Sequence, residues 1–483
     1  MHLSIVQRIL GILLMLFSST MLPPVLVSLV FDDSAGLAFV YGFGVTLAAG
    51  LLIWLPVRRD TRELRLRDGF LVVAAFWVVL GSFGAAPLLF SEQPSLSLTD
   101  AVFEAISGLT TTGATILSGL DDLPPSILYY RQQLQWLGGM GIIVLAVAVL
   151  PMLGVGGMQL YRAETPGPVK DTKLTPRITE TAKALWYVYL GLTVVCGAAY
   201  WAAGMNVFDA ICHSFSTVAI GGFSTHDASM GFFGNPAIDM IAVVFMLLAG
   251  ANFSLHFVAF RERTLRQYVA DPEFRAYLAV LGGLVVFTLL YLFLQGEYSS
   301  LKETFTKGLF QVVSIGTTTG FTTADFSGWP GALPVLLIFS SFIGGCAGST
   351  GGGMKVIRCL LLYKQGIREV RRLVHPSAEM PVKLGNTAVP PRVIDAVWGF
   401  FAVYVVLFAL MMTVLLATGV DQVTAFSAIA ASLNNLGPGL GSVAAGYSGL
   451  NDLDKWVCVG AMLLGRLEIF TLLVLVSPTF WRH

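Results

Sequence analysis

Four segments of this 483-residue sequence share a pattern that could bind an ion through the protein backbone. Each is an apolar stretch too short to cross a membrane, and each ends in a turn that contains glycine. The segments are "DAVFEAISGLTTTGAT" from 100, "DAICHSFSTVAIGGFS" from 209, "KGLFQVVSIGTTTGFT" from 307 and "TAFSAIAASLNNLGPG" from 424. Taken singly, a Thr-Thr-Thr-Gly run is an ordinary turn between two helices. Four such turns together could coordinate a cation through main-chain carbonyl oxygens.

Alignment of the four segments without gaps places one glycine of each segment at the same position. These column glycines are Gly113, Gly222, Gly320 and Gly437, at intervals of 109, 98 and 117 residues. Glycine permits the backbone conformations that turn successive carbonyls toward one axis. A ring of carbonyls can then replace the hydration shell of a monovalent cation. Because the backbone would bind the ion, the side chains of the four turns can differ.

The elements around these turns are predicted to be membrane-spanning helices. Hydrophobic residues make up 55% of the sequence and charged residues 12%, about half of the roughly 25% charged residues in soluble domains. The first apolar segment is too long for a signal peptide and lacks a cleavage pattern, so it is interpreted as a helix. Ten spans are predicted near 9–30, 36–57, 69–90, 130–153, 182–204, 235–260, 274–296, 331–363, 392–418 and 455–478.

Basic residues alternate between the two sides of the predicted spans. The connections 58–68, 161–183, 261–275 and 364–392 hold five, five, four and six Lys or Arg residues. The alternate connections 31–35, 91–131, 204–235, 296–330 and 419–455 hold none, one, none, two and one. Because basic connections stay in the cytoplasm, both termini are predicted to be cytoplasmic. The basic connections could also contact anionic membrane lipid or a cytosolic regulator.

The repeating unit is a helix, a short re-entrant helix, a turn and a second helix. The predicted fold is an all-α polytopic membrane protein with four such repeats around a central pore, after an extra N-terminal helix pair. It has about ten transmembrane helices and four re-entrant pore helices, whose negative C-terminal ends favour a cation on the axis. The predicted units are 1–68 for the helix pair and 69–181, 182–273, 274–390 and 391–483 for pore repeats 1 to 4.

The run "GGCAGSTGGG" at 344–353 interrupts the predicted span 331–363. A phosphate-binding loop is one interpretation, but the Gly-Lys-Ser/Thr order and a preceding strand are missing. A glycine hinge for close helix packing is a second interpretation. Irregular backbone at this depth must be buried in protein or line a cavity. The third repeat is therefore predicted to have a broken second helix.

Three motifs complete the pattern: "GGCAGSTGGGMK" at 344–355, "LQWLGGMGIIVLAVAVLP" at 134–151 and "GRLEIF" at 465–470. With the four re-entrant segments, they make the whole chain resemble the Trk/Ktr/HKT superfamily of potassium transporters, and most of all its bacterial TrkH/TrkG subunits. The resemblance implies a homodimeric potassium uptake protein of the bacterial inner membrane. It also implies a partner, a cytoplasmic nucleotide-binding regulatory subunit of the TrkA type that takes NAD or ATP. We expect no nucleic-acid partner.

The same resemblance implies roles for individual residues. K⁺ is transported and bound in a filter, mainly by backbone carbonyls of the two residues before each column glycine, and the chain binds no organic cofactor. In the family, a glycine at the first column position accompanies K⁺ preference and a serine accompanies Na⁺ transport, so Gly113 favours K⁺. The loop Gly344–Gly353 is implied to be an intramembrane gate below the filter. The filter residues are Thr111, Thr112, Gly113, Ile220, Gly221, Gly222, Thr318, Thr319, Gly320, Asn435, Leu436 and Gly437, and the gating residues are Gly344, Gly345, Gly348, Gly351, Gly352, Gly353 and Arg466.

Arg466 falls near the centre of the predicted span 455–478. An arginine at this depth normally faces the protein interior or a water-filled cavity. One interpretation is an electrostatic barrier inside the pore. The other is a buried ion pair with a carboxylate of another repeat, such as Glu104. Glu468 is only two positions away and therefore points to a different face of a helix.

The remaining candidates are assigned structural roles. His213 and His226 are expected to be packing or surface residues rather than metal ligands. Asp100 and Asp209 are expected to cap two pore helices and to draw cations toward the mouth. The five cysteines are scattered without CxxC spacing and are expected to be buried apolar residues.

Two other function classes are alternatives to a pore. A proton- or sodium-coupled potassium symporter would use the same filter, but such transporters hold carboxylates at mid-span. Here Glu468 is the main acid within a predicted span, which favours a pore without excluding coupling to protons. A membrane-embedded enzyme is disfavoured because HExxH, GxSxG and paired intramembrane aspartates are missing from the sequence.

Overall fold

The computed structural model of the chain describes residues 3–60, 66–141 and 178–481. Helices dominate these ranges, and the strands within them are Lys383–Leu384 and Thr387–Ala388, which pair as one antiparallel hairpin. The all-α class is therefore confirmed. The end of the predicted span 130–153 and most of the connection 161–183 lie outside the described residues.

Six helices in the described ranges are long and apolar enough to cross a membrane. Large apolar side chains such as Leu29, Val286 and Leu410 are exposed on them, as expected of faces that contact lipid tails. The chain is therefore a multi-pass membrane protein. The six helices are Leu3–Phe31, Gly36–Val57, Arg67–Phe90, Lys183–Ala202, Pro272–Gln295 and Pro391–Ala417.

Two sets of four shorter helices alternate along the chain around the glycine turns. The first set, here called pore helices 1 to 4, precedes the turns and consists of Leu98–Leu109, Val207–Ala219, Leu301–Gly316 and Gln422–Leu433. The second set, here called post-filter helices 1 to 4, follows them and consists of Pro125–Trp136, Pro236–Ala249, Leu333–Ile343 and Asp452–Arg466.

All four post-filter helices end or change geometry at a similar point, whereas the sequence predicted a break only in the third. Helix 1 passes into a π-turn, Leu137–Gly141. Helices 2, 3 and 4 stop and are followed by Phe253–Glu262, Val356–Val374 and Phe470–Val476. The predicted spans 235–260 and 455–478 are therefore each broken into two helices.

Local chemistry explains the second and fourth breaks. The helices on either side of 250–252 meet at 95°, because the Asn252 side chain accepts a hydrogen bond from the Ser254 N–H and starts a new helix. In repeat 4, Glu468 and Ile469 have φ values of 52° and 58°, a left-handed conformation that cannot continue a helix. Averaged hydropathy does not register either signal.

The largest apolar core packs the N-terminal helices behind pore helix 1. Phe39, Trp77, Phe103 and Tyr130 are fully buried there. The Tyr130 hydroxyl donates to the Gly84 carbonyl at 2.9 Å, which satisfies the polar end of a buried ring. The first pore helix is thus held on its outer side by apolar packing.

Candidate ion-conduction site

The four pore helices end in the same backbone turn. The residue before each column glycine donates its N–H to the carbonyl five residues earlier, at 2.9, 2.8, 2.8 and 2.8 Å in repeats 1 to 4. The column glycines have φ values of 81°, 78°, 85° and 97°. Two positions before them, Thr111, Ile220, Thr318 and Asn435 are also left-handed, with φ between 52° and 68°. One backbone path therefore recurs four times on different side chains.

The four turns close into a ring within one chain. A Cβ atom added to Gly113 would lie 2.1 Å from the carbonyl oxygen of Gly221, and one on Gly222 would lie 2.0 Å from that of Thr319. The same construction brings Gly320 to 2.2 Å from the Leu436 oxygen and Gly437 to 2.7 Å from the Thr112 oxygen. Each column glycine thus faces the carbonyl of the next repeat, and the fourth repeat faces the first.

A cavity of about 490 Å³ opens on one side of this ring. All four column glycines line it, together with polar residues from the loops that follow them, such as Thr115, Ser229 and Asp325. These loops connect the pore helices to the post-filter helices, so the cavity lies on the side predicted to be outside the cell. A hydrated cation could reach the ring from this side.

The N-termini of the pore helices are capped by residues that differ from those expected. Ser97, Asn206, Ser300 and Asp421 accept the hydrogen bonds from the first turn of the helices. The prediction that Asp100 and Asp209 are the caps was wrong, since both lie three residues further on. Their carboxylates still occupy first turns, where negative charge is favourable.

The loop 344–355 packs against the ring from the side opposite the cavity. The Thr350 hydroxyl donates to Val218 O at 3.0 Å, at the end of pore helix 2. The Gly352 N–H donates to Thr318 Oγ1 at 2.7 Å, and the Gly353 N–H donates to Asn434 O at 3.0 Å. The loop therefore contacts the ends of pore helices 2, 3 and 4.

Among the described residues, Arg466 contacts repeat 1, the quarter of the ring that the loop does not reach. Its guanidinium donates to Thr111 Oγ1 at 3.2 Å in repeat 1 and to Thr350 O at 3.3 Å in the loop. It also donates to Gly138 O and Gly139 O in the π-turn of repeat 1. Arg466 is the last residue of post-filter helix 4 rather than the middle of a longer one. The guanidinium thus joins the loop to the first quarter of the ring.

The alternative pairing of Arg466 with Glu104 was wrong. Glu104 accepts from Arg131 Nε at 2.7 Å, and both side chains are fully buried. Thr115 Oγ1 donates to the same carboxylate at 2.9 Å, and Arg131 Nη1 donates to Ser224 O at 3.2 Å in repeat 2. Glu104 therefore holds Arg131 in place, and Arg131 ties repeat 1 to repeat 2 behind the ring.

Both ends of the loop are anchored by charged groups. Glu273 Oε1 accepts from the Ala347 N–H at 2.6 Å and from the Ile357 N–H at 3.1 Å. Beyond the loop, Arg358 pairs with Glu468 at 2.5 Å and lies over the Phe400 ring, 4.3 Å from its centroid. The loop is therefore fixed to repeat 4 and to the first turn of the helix Pro272–Gln295.

Sequence reasoning missed several polar residues that hold the ring. Arg131, Gln132 and Gln135 lie on post-filter helix 1 and bond to backbone carbonyls of the second turn. The signal was present, because "RQQLQ" places four polar residues inside an apolar span. Glu273 and Arg358 gave a weaker signal, since both lie near predicted helix ends where charge is common.

The two histidines lie near the second turn, and His226 lines the cavity. His213 is buried, with its ring nitrogens 2.9 Å from Asp209 O and from Ser224 Oγ, which confirms a packing role. His226 lies between Asp121, at 2.5 Å, and Asp209, at 3.3 Å. It connects the loops of repeats 1 and 2.

Burial and hydrogen bonding act in opposite directions on the His226 imidazole. Partial burial lowers the pKa of His226, but hydrogen bonds to Asp209 and Asp121 outweigh it and raise the pKa above the ordinary value of 6.5. The hydrogen bond from His226 holds the pKa of Asp121 below its ordinary value of 3.8. The pair is therefore ionised at a pH above the lowered pKa of Asp121 and below the raised pKa of His226.

Fold and site together define the class of protein: a polytopic membrane protein whose four re-entrant helices meet at a single ring of backbone carbonyls. The family described as "TrkH: Cation transport protein" matches residues 35–482. This chain belongs to the TrkH family of cation transport proteins. It is a transport protein and not an enzyme.

Individual relatives match over the whole chain. The "Trk system potassium uptake protein TrkH" of Halomonas elongata is 61% identical over 482 residues, covering 100% of both chains. The protein of the same name in Escherichia coli is 58% identical over 483 residues, also covering 100% of both. The crystal structure of the potassium transporter TrkH from Vibrio parahaemolyticus superposes with a TM-score of 0.91 at 57% identity, and the match covers 100% of each chain.

We expect Glu104→Gln to destabilise the folded protein by about 3–5 kcal/mol, because it leaves the buried Arg131 charge without its carboxylate. Thermal unfolding in detergent measures the effect. Glu303→Gln is the matched control, since Glu303 also lies in a pore helix but pairs with a partly exposed lysine, Lys307. The control should change stability by no more than about 0.5 kcal/mol. Equal effects of the two variants would contradict the role given to the buried pair.

We expect the stability of the mouth to depend on pH through His226. Because its pKa is raised in the fold, its contribution is complete below pH 6.5 and is lost as pH rises through the raised value. The melting temperature in detergent should therefore fall over this range, and His226→Gln should flatten that fall. His375→Gln changes an exposed histidine and serves as control. If both variants keep the wild-type pH profile, His226 does not contribute in this way.

Proposed function

We propose that the chain mediates K⁺ uptake across the bacterial inner membrane through a pore at the centre of each polypeptide. The observation that best supports this proposal is the closed ring of four turns with one backbone conformation. In this ring each column glycine faces a carbonyl of the next repeat. The names of the relatives, potassium uptake proteins that match over the full length, agree with it.

In this proposal K⁺ binds mainly to main-chain oxygens of the residues before the column glycines. Four carbonyls at one level can take the place of water around the ion. The C-terminal ends of the four pore helices add partial negative charge around the ring. The coordinating set is Thr111, Thr112, Gly113, Ile220, Gly221, Gly222, Thr318, Thr319, Gly320, Asn435, Leu436 and Gly437.

We further propose that the loop and Arg466 gate the pore. The loop contacts the quarters of the ring from repeats 2, 3 and 4, and Arg466 contacts the quarter from repeat 1. An ion that leaves the filter therefore meets both. The glycines let the loop backbone pack close to its neighbours, as at Gly352, where a Cβ would lie 1.9 Å from Asn434 O. Opening then requires the loop to move away. The gating residues are Gly344, Gly345, Gly348, Gly351, Gly352, Gly353 and Arg466.

The proposed organisation of the chain follows the same repeats. The units are the helix pair 1–68 and the pore repeats 69–181, 182–273, 274–390 and 391–483, with both termini in the cytoplasm. The alternation of basic connections supports this orientation. The words "Trk system" in the relatives' names support a multi-component assembly. We propose a homodimer with a nucleotide-binding regulatory subunit of the TrkA type.

Ion flux into liposomes containing the purified protein tests this function. Wild type should take up K⁺ in preference to Na⁺, and Gly113→Ser should lower the K⁺/Na⁺ uptake ratio, because a Cβ at Gly113 would displace the Gly221 carbonyl of the ring. Gly119→Ser is the matched control, since Gly119 also has a positive φ, 69°, but has open space around it. Absence of K⁺ uptake by wild type would contradict the function. An unchanged ratio in Gly113→Ser would contradict the filter position.

Neutralising the charge below the ring should ease the passage of cations. We expect Arg466→Gln to remain folded and to raise K⁺ flux in liposomes, because an arginine on the ion path repels cations. Lys455→Gln removes another buried cation of the same helix, one that pairs with Asp100 at 2.7 Å, and should not raise flux. A less stable Arg466→Gln protein with no gain in flux would mean that Arg466 is structural.

A further inference from the structure

The second quarter of the ring has a glycine where the other three have larger residues. Gly221 precedes the column glycine of repeat 2, and the equivalent positions hold Thr112, Thr319 and Leu436. The φ of Gly221 lies outside the left-handed region, so its backbone conformation does not require glycine. Another constraint must explain the missing side chain.

The side chain of Gln135 occupies the space in question. A Cβ atom on Gly221 would lie 2.4 Å from Gln135 Cδ and 2.4 Å from its Oε1. Gln135 belongs to post-filter helix 1 and is fully buried. A residue of repeat 1 therefore fills, in the second turn, the place that a threonine or leucine side chain fills in the other turns.

The Gln135 amide also holds the backbone on both sides of Gly222. Its Nε2 donates to the Gly221 carbonyl oxygen at 2.6 Å, and its Oε1 accepts from the Phe223 N–H at 3.1 Å. In the part of the chain that the structure describes, the corresponding carbonyls of Thr112, Thr319 and Leu436 have no side-chain donor. The Gly221 carbonyl is thus the one whose direction a side chain sets.

Two neighbours on the same helix continue this support. Gln132 Nε2 donates to Phe223 O at 3.3 Å, and Arg131 Nη1 donates to Ser224 O at 3.2 Å. Arg131 and Gln132 lie four and three residues before Gln135, a spacing that places side chains on one side of a helix. All three side chains therefore reach the same stretch of backbone, residues 221–224. Gln135 is the member of this face that reaches a ring carbonyl.

We infer that Gln135 is a positioning residue for ion selectivity: it orients the Gly221 carbonyl and so completes the second quarter of the filter. This inference rests on the proposed function. A carbonyl oxygen has two lone pairs, so one can accept from Gln135 while the other faces the ion. Without the amide, the Gly221 carbonyl would be free to turn, and the distances that distinguish K⁺ from Na⁺ would be less well defined.

The first test replaces the amide with an apolar side chain of similar shape. Gln135→Met should lower the K⁺/Na⁺ uptake ratio in liposomes by roughly three- to tenfold, which is the change that corresponds to the net free energy of one ordinary hydrogen bond. Gln133→Met is the matched control. Gln133 is a buried glutamine of the same helix that donates to Thr20 O at 2.7 Å, away from the ring. The control should keep the wild-type ratio.

A double variant separates positioning from folding. Gly221→Ala alone should abolish uptake, because its methyl group collides with Gln135. Gln135→Ala combined with Gly221→Ala should restore uptake with a lowered K⁺/Na⁺ ratio, because the space is vacated and the amide is still missing.

The outcomes are distinguishable. If wild type takes up K⁺ while Gln135→Met and Gln133→Met both keep its ratio, the inference about Gln135 is overturned and the proposed function stands. Equal inactivity of the single Gly221→Ala and double variants would also overturn it. If wild type itself takes up no K⁺, the proposed function fails and the inference fails with it.

Discussion

At the centre of the molecule, main chain packs directly against main chain. Each column glycine meets the carbonyl oxygen of the next repeat at a distance where no side chain fits, between 2.0 and 2.7 Å from an added Cβ. The width of the ring is therefore set by peptide geometry. The helices, caps and apolar core around it position four short stretches of backbone. This explains why the four turns keep one conformation while their side chains differ.

Such a ring needs support from polar groups within a membrane, where an unpaired polar group is costly. The structure supplies them from neighbouring repeats. Arg131 of repeat 1 donates to Ser224 O of repeat 2 at 3.2 Å, Lys455 of repeat 4 pairs with Asp100 of repeat 1, and Asn435 Nδ2 of repeat 4 donates to Thr112 Oγ1 of repeat 1 at 2.9 Å. Each of these contacts links one repeat to another. The polar residues inside the membrane thus hold the order of the repeats around the ring.

The sequence was most informative where one backbone conformation demands one residue type. The left-handed turn at the end of each pore helix requires glycine, so Gly113 and its three equivalents could be aligned and the fold predicted from them. The loop at 344–353 was also visible, because ten residues rich in glycine cannot continue a helix. Both features are local.

Features that depend on a single polar residue or on tertiary packing could not be predicted. The bend at 250–252 depends on a single cap, Asn252, in an otherwise apolar run. The partner of Glu104 proved to be Arg131 rather than Arg466, a choice that only tertiary packing makes. Gln135 lies 86 residues from the glycine it contacts. Sequence spacing alone holds no information on such pairs.

The proposed gating by the loop beneath the ring has a further consequence. Four equal subunits around an axis would each carry their own obstruction, and opening would require a concerted change in all four. Within the described residues 3–60, 66–141 and 178–481, one segment, from repeat 3, reaches the ends of pore helices 2, 3 and 4, and Arg466 connects it to repeat 1. In the proposed gating, removal of this one segment frees three quarters of the ring and breaks the bond between Arg466 and Thr350 O. Under this proposal, opening is a single event for each chain, and a graded response of a membrane comes from the number of open chains.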